Sequence, residues 1–215
     1  TPQLAAVHLP TRSAVIADVH LGYDAARQAA GEAVPTFSLR VLRERIETLR
    51  DHFGIQRIVV AGDLVEDARQ TEALRAALVW LSDRGLAVWL TPGNHDRGLP
   101  LVEGLQVFPG GLRLGRWLIV HELDAARRIP QAAGHIHPTV RVRGLSRPSP
   151  CFLAAPGRLI LPAFSEDAAG LRLRSPSSLG GYQCHAVVNG EMKTVGTSQR
   201  EEDKVTSTPA RPACP

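Results

Sequence analysis

Short apolar runs alternate with helix-like patterns over the first two thirds of the chain. Four of these runs are rich in Val, Ile, Leu and Trp, which is typical of buried strands. They are Ser13–Ala17, Arg57–Ala61, Leu86–Thr91 and Trp117–Val120. Each is bounded by polar or turn-forming residues, so the sequence predicts four separate strands.

The segments between the first three strands have the spacing of amphipathic helices. One helix is predicted over Ser38–Phe53 and ends at Gly54; its apolar face carries Leu39, Leu42, Ile46, Leu49 and Phe53. Another is predicted from Thr71, as its N-cap, to Arg84, with Gly85 ending it; its inward residues are Leu74, Ala77, Leu78 and Leu81. Strands and helices that alternate in this order predict a layered α/β domain.

The later part of the chain has strand patterns without helical periodicity. Pro109-Gly110-Gly111 and Gly115 punctuate hairpin-like strands, and further strands are predicted at Arg158–Leu161, Gln183–Val188 and Met192–Val195. These strands predict a second sheet that packs on the first.

One domain is therefore expected over residues 1–196. Within it, residues 141–181 are mostly Arg, Pro, Ser and Gly around a few apolar segments, which predicts loops. Residues 197–215 contain three prolines, mixed charge and almost nothing apolar. This composition predicts a disordered C-terminal tail.

The composition is that of an ordinary globular protein, with 215 residues, 44% hydrophobic and 21% charged. The formal net charge is +4, and only Lys193 and Lys204 are lysines, so 23 of the basic residues are arginines. The planar guanidinium matches phosphate oxygens in pairs, which points to a phosphate-bearing partner. Arginines that merely solvate the surface of an Ala- and Arg-heavy chain explain the charge equally well.

The chain gives no sign of export or of a membrane partner. Its longest apolar runs are far short of the roughly 20 residues that span a bilayer, and no basic-then-apolar leader opens it. Cys151, Cys184 and Cys214 form no C-x-x-C pair. We therefore expect a reduced, cytoplasmic setting.

Chemistry-bearing residues follow the predicted strands. Because the carboxyl ends of strands in an open α/β sheet share one edge, these side chains are expected to converge there. Glycines precede three of them, where they would let the backbone turn sharply. The set is Asp18, His20, Asp63, Asn94, His121, His135 and His137.

Such a set of imidazoles, carboxylates and one amide oxygen suits divalent Mn, Fe or Zn, and no cysteine takes part. Seven residues are too many for one tetrahedral ion and fit two ions that share Asp63, whose carboxylate has two oxygens. Two ions and two aspartates leave a charge near +2, which a phosphate ester and a metal-bound hydroxide would compensate. Two such ions can clamp the attacking and leaving oxygens of an in-line displacement.

The motifs D-x-H, G-D, G-N-H-D, a lone H and G-H-x-H, in this order from about Ala14 to Pro138, resemble those of the calcineurin-like metallophosphoesterases. The resemblance implies a four-layer α/β sandwich, in which two mixed β-sheets are flanked by helices. It also implies a binuclear centre, with manganese as the expected metal. One ion would be held by Asp18, His20 and His137, the other by Asn94, His121 and His135, and Asp63 would bridge them. His95 would stabilise the transition state or protonate the leaving oxygen, with Asp96 orienting its ring.

Within this family, the chain is most similar to compact bacterial and archaeal phosphoesterases encoded near DNA ligases and helicases. The shared motifs are A-D-x-H-L-G-Y at 17–23, G-H-I-H-P at 134–138 and L-P-A-F at 161–164. This likeness implies phosphodiester hydrolysis by metal-activated hydroxide, on single-stranded or flapped DNA, in repair with such partners. The chain departs from the pattern at Glu122, where much of the family has Gly, and at Ser165-Glu166-Asp167.

Several arginines are candidates for contacting substrate phosphates. Arg97 directly follows G-N-H-D, and Arg141 and Arg143 alternate as on one face of a strand; Arg27 and Arg147 complete the set. Hydrolysis of small nucleotides or other small phosphate esters is the alternative function, and a non-catalytic scaffold of the same fold is a further one. His8, His52 and His185 are expected to be structural.

Overall fold

The computed structural model describes residues 1–34, 38–68, 71–165, 170–173 and 180–195. The tail predicted over 197–215 and the departures at Glu166 and Asp167 lie outside these residues. None of the described helices has the length and apolar character needed to cross a membrane.

The first sheet has five strands in the order β1-β2-β3-β4-β5, with β1 antiparallel to β2 and the others parallel. Three helices lie in the same part of the chain. The strands are β1 (Ala6–His8), β2 (Ser13–Ile16), β3 (Arg57–Val60), β4 (Ala87–Leu90) and β5 (Leu105–Val107), and the helices are α1 (Tyr23–Ala29), α2 (Ser38–Phe53) and α3 (Glu72–Ser82).

Among the described residues, the second sheet has nine strands of mixed direction, with β8 between parallel neighbours and β10 paired to three antiparallel strands. Its strands are β6 (Leu112–Leu114), β7 (Trp117–Ile119), β8 (Gln131–Ala133), β9 (Thr139–Val140), β10 (Ser149–Ala155), β11 (Arg158–Ile160), β12 (Arg172–Leu173), β13 (Gln183–Val188) and β14 (Glu191–Val195). Two mixed sheets in an α/β chain confirm the expected fold class.

Successive side chains of a strand point to opposite faces of the sheet. One face of the first sheet therefore packs on the helices and the other on the second sheet. Ile16 and Val60 pack with the apolar faces of α2 and α3, whereas Val15 and Val59 pack against residues of the second sheet. The buried cluster between the sheets therefore draws on both halves of the chain. We propose on this basis that residues 1–196 form one domain.

Strand register brings the carboxyl ends of five strands, from both sheets, to one edge of the structure. In the first sheet Ile16 pairs with Val60 and Val60 with Leu90, so the turns after β2, β3 and β4 leave side by side. In the second sheet Ile119 of β7 pairs with Ala132 of β8. The segments that follow these five strands carry the seven predicted metal ligands.

Strand β1, helix α1 and part of the region 141–181 differ from the sequence predictions. The region 141–181 contains the seven-residue strand β10, although loops were predicted there. Its apolar residues follow Pro150, near the start of the strand, where a proline is tolerated. Helix α1 was not predicted, because none of its residues is buried and it therefore has no apolar face.

Mutation of two neighbouring residues of α3 would test which face of the helix is buried. Leu78 is 5% exposed, whereas Val79 is 63% exposed. We expect Leu78→Ala to lower the free energy of unfolding by about 2–5 kcal/mol, because it leaves a cavity, and Val79→Ala to change it by less than about 0.5 kcal/mol. Urea unfolding measures both, and equal losses would contradict the assigned face.

Candidate metal centre

The two sheets are joined at this edge by the carboxylate of Asp18. Its side chain is fully buried, and both of its oxygens accept the backbone N–H of His135, at 2.9 and 3.1 Å. The backbone of Phe164 also donates to the carbonyl of Ala17, at 2.8 Å. The turn after β2 is therefore bonded to two separate segments that follow strands of the second sheet.

Many of the residues that face the site have a strained backbone. Asp18, His20, Asp63, His135 and His137 all take positive φ angles, between 44° and 74°. This left-handed region is uncommon for residues other than glycine, and holding a residue there costs about 1–3 kcal/mol. Because five such residues occur together, the strain is a property of the site.

The glycines before the site residues make room for side chains. A Cβ on Gly62 would lie 2.0 Å from Nδ1 of His121, one on Gly93 would lie 2.2 Å from Oδ1 of Asp63, and one on Gly134 would lie 2.4 Å from Oδ2 of Asp18. The predicted sharp turn is present at Gly62, where φ is +84°. At Gly93 and Gly134 the φ angle is not positive, and what requires glycine there is the close approach of these side chains.

One group of candidate ligands consists of Asp18, His20 and His137. Each offers an atom that lies within 4.8 Å of an atom of the other two. Nε2 of His137 is 3.3 Å from Oδ1 of Asp18, and the two imidazole rings are 5.6 Å apart between centroids. All three are shielded from solvent to some degree, and Asp18 is fully buried.

A second group consists of Asp63, His121 and His135, with Asn94 beside them. Nε2 of His121 lies 2.9 Å from Nδ1 of His135, 3.0 Å from Oδ1 of Asn94 and 3.5 Å from Oδ2 of Asp63. A single ring nitrogen has one proton or one lone pair, so it cannot satisfy three partners. Convergence of nitrogen and oxygen donors on one point is what a divalent cation requires.

One ring nitrogen in the first group has no hydrogen-bond partner in the described part of the chain. Nε2 of His20 is buried and has no hydrogen-bond partner among the described residues. Leaving such an atom unpaired costs about 1–3 kcal/mol, which a bound cation would offset. The residues present therefore fit a metal centre, and the two groups are adjacent, since Nδ1 of His121 is 3.9 Å from Oδ1 of Asp18.

His95 lies beside both groups. Its backbone N–H donates to Oδ1 of Asp63 at 2.9 Å, and its ring is 4.9 Å from that of His20. Nδ1 donates to the carbonyl of Glu66 at 2.9 Å, since a carbonyl only accepts. Burial alone would lower the pKa of His95, but this hydrogen bond and the surrounding carboxylates raise it above its usual value.

The prediction that Asp96 orients the His95 ring is wrong. The carboxylate of Asp96 accepts the backbone N–H groups of Leu64, Val65 and Gly93, at 2.9, 3.2 and 2.9 Å. The ring of His95 is held by the Glu66 carbonyl instead. Burial raises the pKa of the Asp96 carboxyl, although the three N–H groups act to lower it. Asp96 therefore ties together the turns after β3 and β4.

Glu66 is the functional candidate that the sequence analysis missed. Its Oε2 lies 2.8 Å from Nδ1 of His20, a closer contact than any made by Asp96. The only signal in the sequence is an acidic residue three positions after Asp63. Two acidic residues in succession, Glu66 and Asp67, are also common on solvated turns, so the signal is weak.

Most of the predicted arginines lie in exposed positions. Arg97 lines a cavity of about 500 Å³ together with His95, Glu66 and Ala26 of α1. Arg27 forms an exposed ion pair with Glu32 at 2.7 Å. For Arg141 and Arg143, the prediction of a shared strand face was wrong, because β9 ends at Val140 and both residues follow it in an exposed loop. Arg147 is also exposed and lies outside the strands.

Comparison with known proteins gives a family and a fold. The sequence profile of the calcineurin-like phosphoesterases matches residues 11–153. Nine chains of solved structures are similar. Among them is the crystal structure of the nuclease MPE from Pseudomonas putida, with a TM-score of 0.73 and 24% sequence identity over 90% of this chain and 92% of that one. No curated protein matches the chain.

A methyl group at Gly134 tests the close approach of the two sheets. We expect Gly134→Ala to lower the free energy of unfolding by at least about 1–3 kcal/mol, because the new Cβ would meet both Asp18 and Ala17. Gly110→Ala is the matched control, since nothing lies within 4 Å of a Cβ there and its φ is not positive. Equal stability of the two variants in urea would contradict the geometry.

Asp96 is testable as a structural residue. Asp96→Ala leaves three backbone N–H groups without their acceptor, so we expect a loss of about 3 kcal/mol or more in unfolding free energy. Asp96→Asn keeps one acceptor oxygen and is expected to lose less. Urea unfolding and hydrolysis rates, measured together, check this. Full stability combined with a large loss of turnover in Asp96→Asn would restore a catalytic role.

Proposed function

The chain belongs to the calcineurin-like phosphoesterase family and is a metal-dependent hydrolase of phosphoester bonds; from this premise we propose that it cleaves phosphodiesters. We further propose single-stranded or flapped DNA as the substrate. The observation that carries the proposal is the meeting of two adjacent ligand groups from five strand ends at one edge of two sheets. A centre for two ions matches the in-line displacement of a phosphate ester.

We assign one ion to Asp18, His20 and His137, and the other to Asn94, His121 and His135, with Asp63 shared between them. The grouping of Asp18 with His20 and His137, the grouping of Asp63 with His121 and His135, and the unsatisfied Nε2 of His20 support this assignment. The place of Asn94 is supported by its contact of 3.0 Å with His121. The sharing of Asp63 rests on the family motif. The donors are nitrogen and oxygen only, which suits Mn²⁺, Fe or Zn. We propose Mn²⁺ as the metal used.

Bound divalent ions supply Lewis-acid polarisation of the phosphate and lower the pKa of a bound water. The proposed role of His95 is to hold a proton at Nε2. Because Nδ1 donates to the Glu66 carbonyl, the proton that this ring could give to a leaving oxygen would be one on Nε2. We propose His95 as the general acid on this ground.

Three observations support a nucleic-acid substrate. The structurally similar Pseudomonas protein is titled a nuclease. The net charge is +4, and Arg97 borders the cavity next to His95. Arg141 and Arg143 add exposed positive charge. Participation in DNA repair, with a ligase or a helicase as partner, stays a prediction from the motifs.

Small nucleotides or other small phosphate esters are the second candidate class. The cavity beside His95 favours them, because its volume of about 500 Å³ lies within the range of small-molecule sites. Two of its lining residues, Glu66 and Asp67, are acidic, which is unfavourable for a long polyanion. A substrate panel therefore has to include both classes.

The metal dependence is tested with bis(p-nitrophenyl) phosphate and added Mn²⁺. We expect Asp63→Asn to lower turnover more than about 100-fold, since the ions supply several kcal/mol and each 1.36 kcal/mol is tenfold. Asn is chosen because it tolerates the φ of 51° at this position. Asp51→Asn, an exposed carboxylate on α2, is the control. Undiminished turnover after exhaustive chelation would refute the proposal.

The same preparation decides the substrate class. Labelled single-stranded, flapped and duplex DNA, p-nitrophenyl phosphate and small cyclic nucleotides are compared at equal Mn²⁺. A strong preference for the monoester would overturn the phosphodiesterase assignment. Cleavage of small diesters without cleavage of any DNA would favour the second candidate class.

A further inference from the structure

We propose that Glu66 is a positioning residue, which fixes the proton of the His20 ring on Nδ1 and so leaves Nε2 free to bind a cation. The inference rests on the proposed function, because it concerns one of the proposed ligands. It starts from the contact of 2.8 Å between Oε2 of Glu66 and Nδ1 of His20.

The tautomer follows from the chemistry of this contact. An ionised carboxylate has acceptors only, so the shared proton belongs to Nδ1 of His20. In a neutral imidazole the other nitrogen then carries the lone pair. That nitrogen, Nε2, is the buried atom without a partner among the described residues. A carboxylate that orients a histidine in this way strengthens its binding to a metal.

The backbone holds the two partners in place. The N–H of Glu66 donates to the carbonyl of Leu21 at 3.0 Å, and the N–H of His20 donates to the carbonyl of Asp63 at 3.0 Å. Leu21 and Val65 also form a parallel β-bridge. The segments 20–21 and 63–66 therefore run side by side, and the side chains of Glu66 and His20 meet without a mobile loop between them.

Glu66 could instead be a metal ligand, since His20, Glu66 and His95 form a third group of closely spaced donor atoms. The positions of the protons on the two histidine rings argue against Glu66 as a metal ligand. Nδ1 of His20 donates to the Glu66 carboxylate, and Nδ1 of His95 donates to the Glu66 carbonyl. Both ring nitrogens that face Glu66 therefore carry protons and have no lone pair for an ion. The third group is a hydrogen-bonded cluster.

The hydrogen bonds of Glu66 to the two histidines use different atoms, the carboxylate for His20 and the main-chain carbonyl for His95. The carboxylate is more distant from His95, with Oε2 at 3.8 Å from Nδ1. Substitution of the side chain removes the partner of His20, but the carbonyl that holds His95 belongs to the main chain and stays. The expected effect is thus a loss of metal affinity at one site.

The first test is calorimetric titration of the full chain with Mn²⁺. We expect Glu66→Ala to weaken one of the two binding events by 10- to 100-fold, and Glu66→Gln, which keeps an acceptor oxygen, to weaken it less. Glu103→Ala, at an exposed carboxylate, is the control and should bind like the original chain. Circular dichroism verifies that each variant is folded. Unchanged affinity in a folded Glu66→Ala variant would overturn the proposal.

The second test reads the tautomer directly, by ¹⁵N NMR of the histidine rings in the metal-free chain. We expect His20 to carry its proton on Nδ1, and Glu66→Ala to shift His20 toward the other tautomer or a mixture. A proton on Nε2 of His20 in the original chain would overturn the proposal. If the original chain binds no Mn²⁺, the proposed function fails, and the tautomer alone then decides the role of Glu66.

Discussion

The hydrogen bonds between the Asp18 carboxylate and the backbone of His135 are the contact on which the rest of the site depends. They join the end of β2 to the end of β8, across two sheets, at a carboxylate with no exposure to solvent. A buried carboxylate is tolerated only when it is bonded or paired. Its partners are the His135 N–H and the neighbouring imidazoles, so the joint between the sheets and the candidate metal centre are one structure.

This joint explains the unusual backbone around it. Five polar residues with left-handed φ angles would each be unfavourable in isolation. They occur together because each strand ends in a tight turn that aims its side chain back over the edge of the sheet. Gly93 and Gly134 make the approach possible by leaving out a Cβ that would collide with Asp63 and Asp18. Strain and close packing at one edge are a common mark of functional sites.

The sequence predicts those features that leave a periodic or motif-level trace. The helices α2 and α3 and strands β2–β4 follow from apolar spacing, and the seven side chains of the site follow from their positions after strands. Helix α1 and the anchor role of Asp96 leave no such trace, because one has no buried face and the other bonds only to backbone N–H groups. Glu66 was missed because its partner, His20, lies 46 residues away in the chain.

The unsatisfied ring nitrogen of His20 and the buried carboxylates also have a thermodynamic consequence. A bound cation would offset part of the cost of burying these groups in the folded chain, and the unfolded chain has no such site. An ion at 100 times its dissociation constant would then stabilise the fold by about 2.7 kcal/mol through mass action. A chelator would thus abolish hydrolysis and also lower the unfolding temperature. Thermal denaturation would therefore report whether metal is bound.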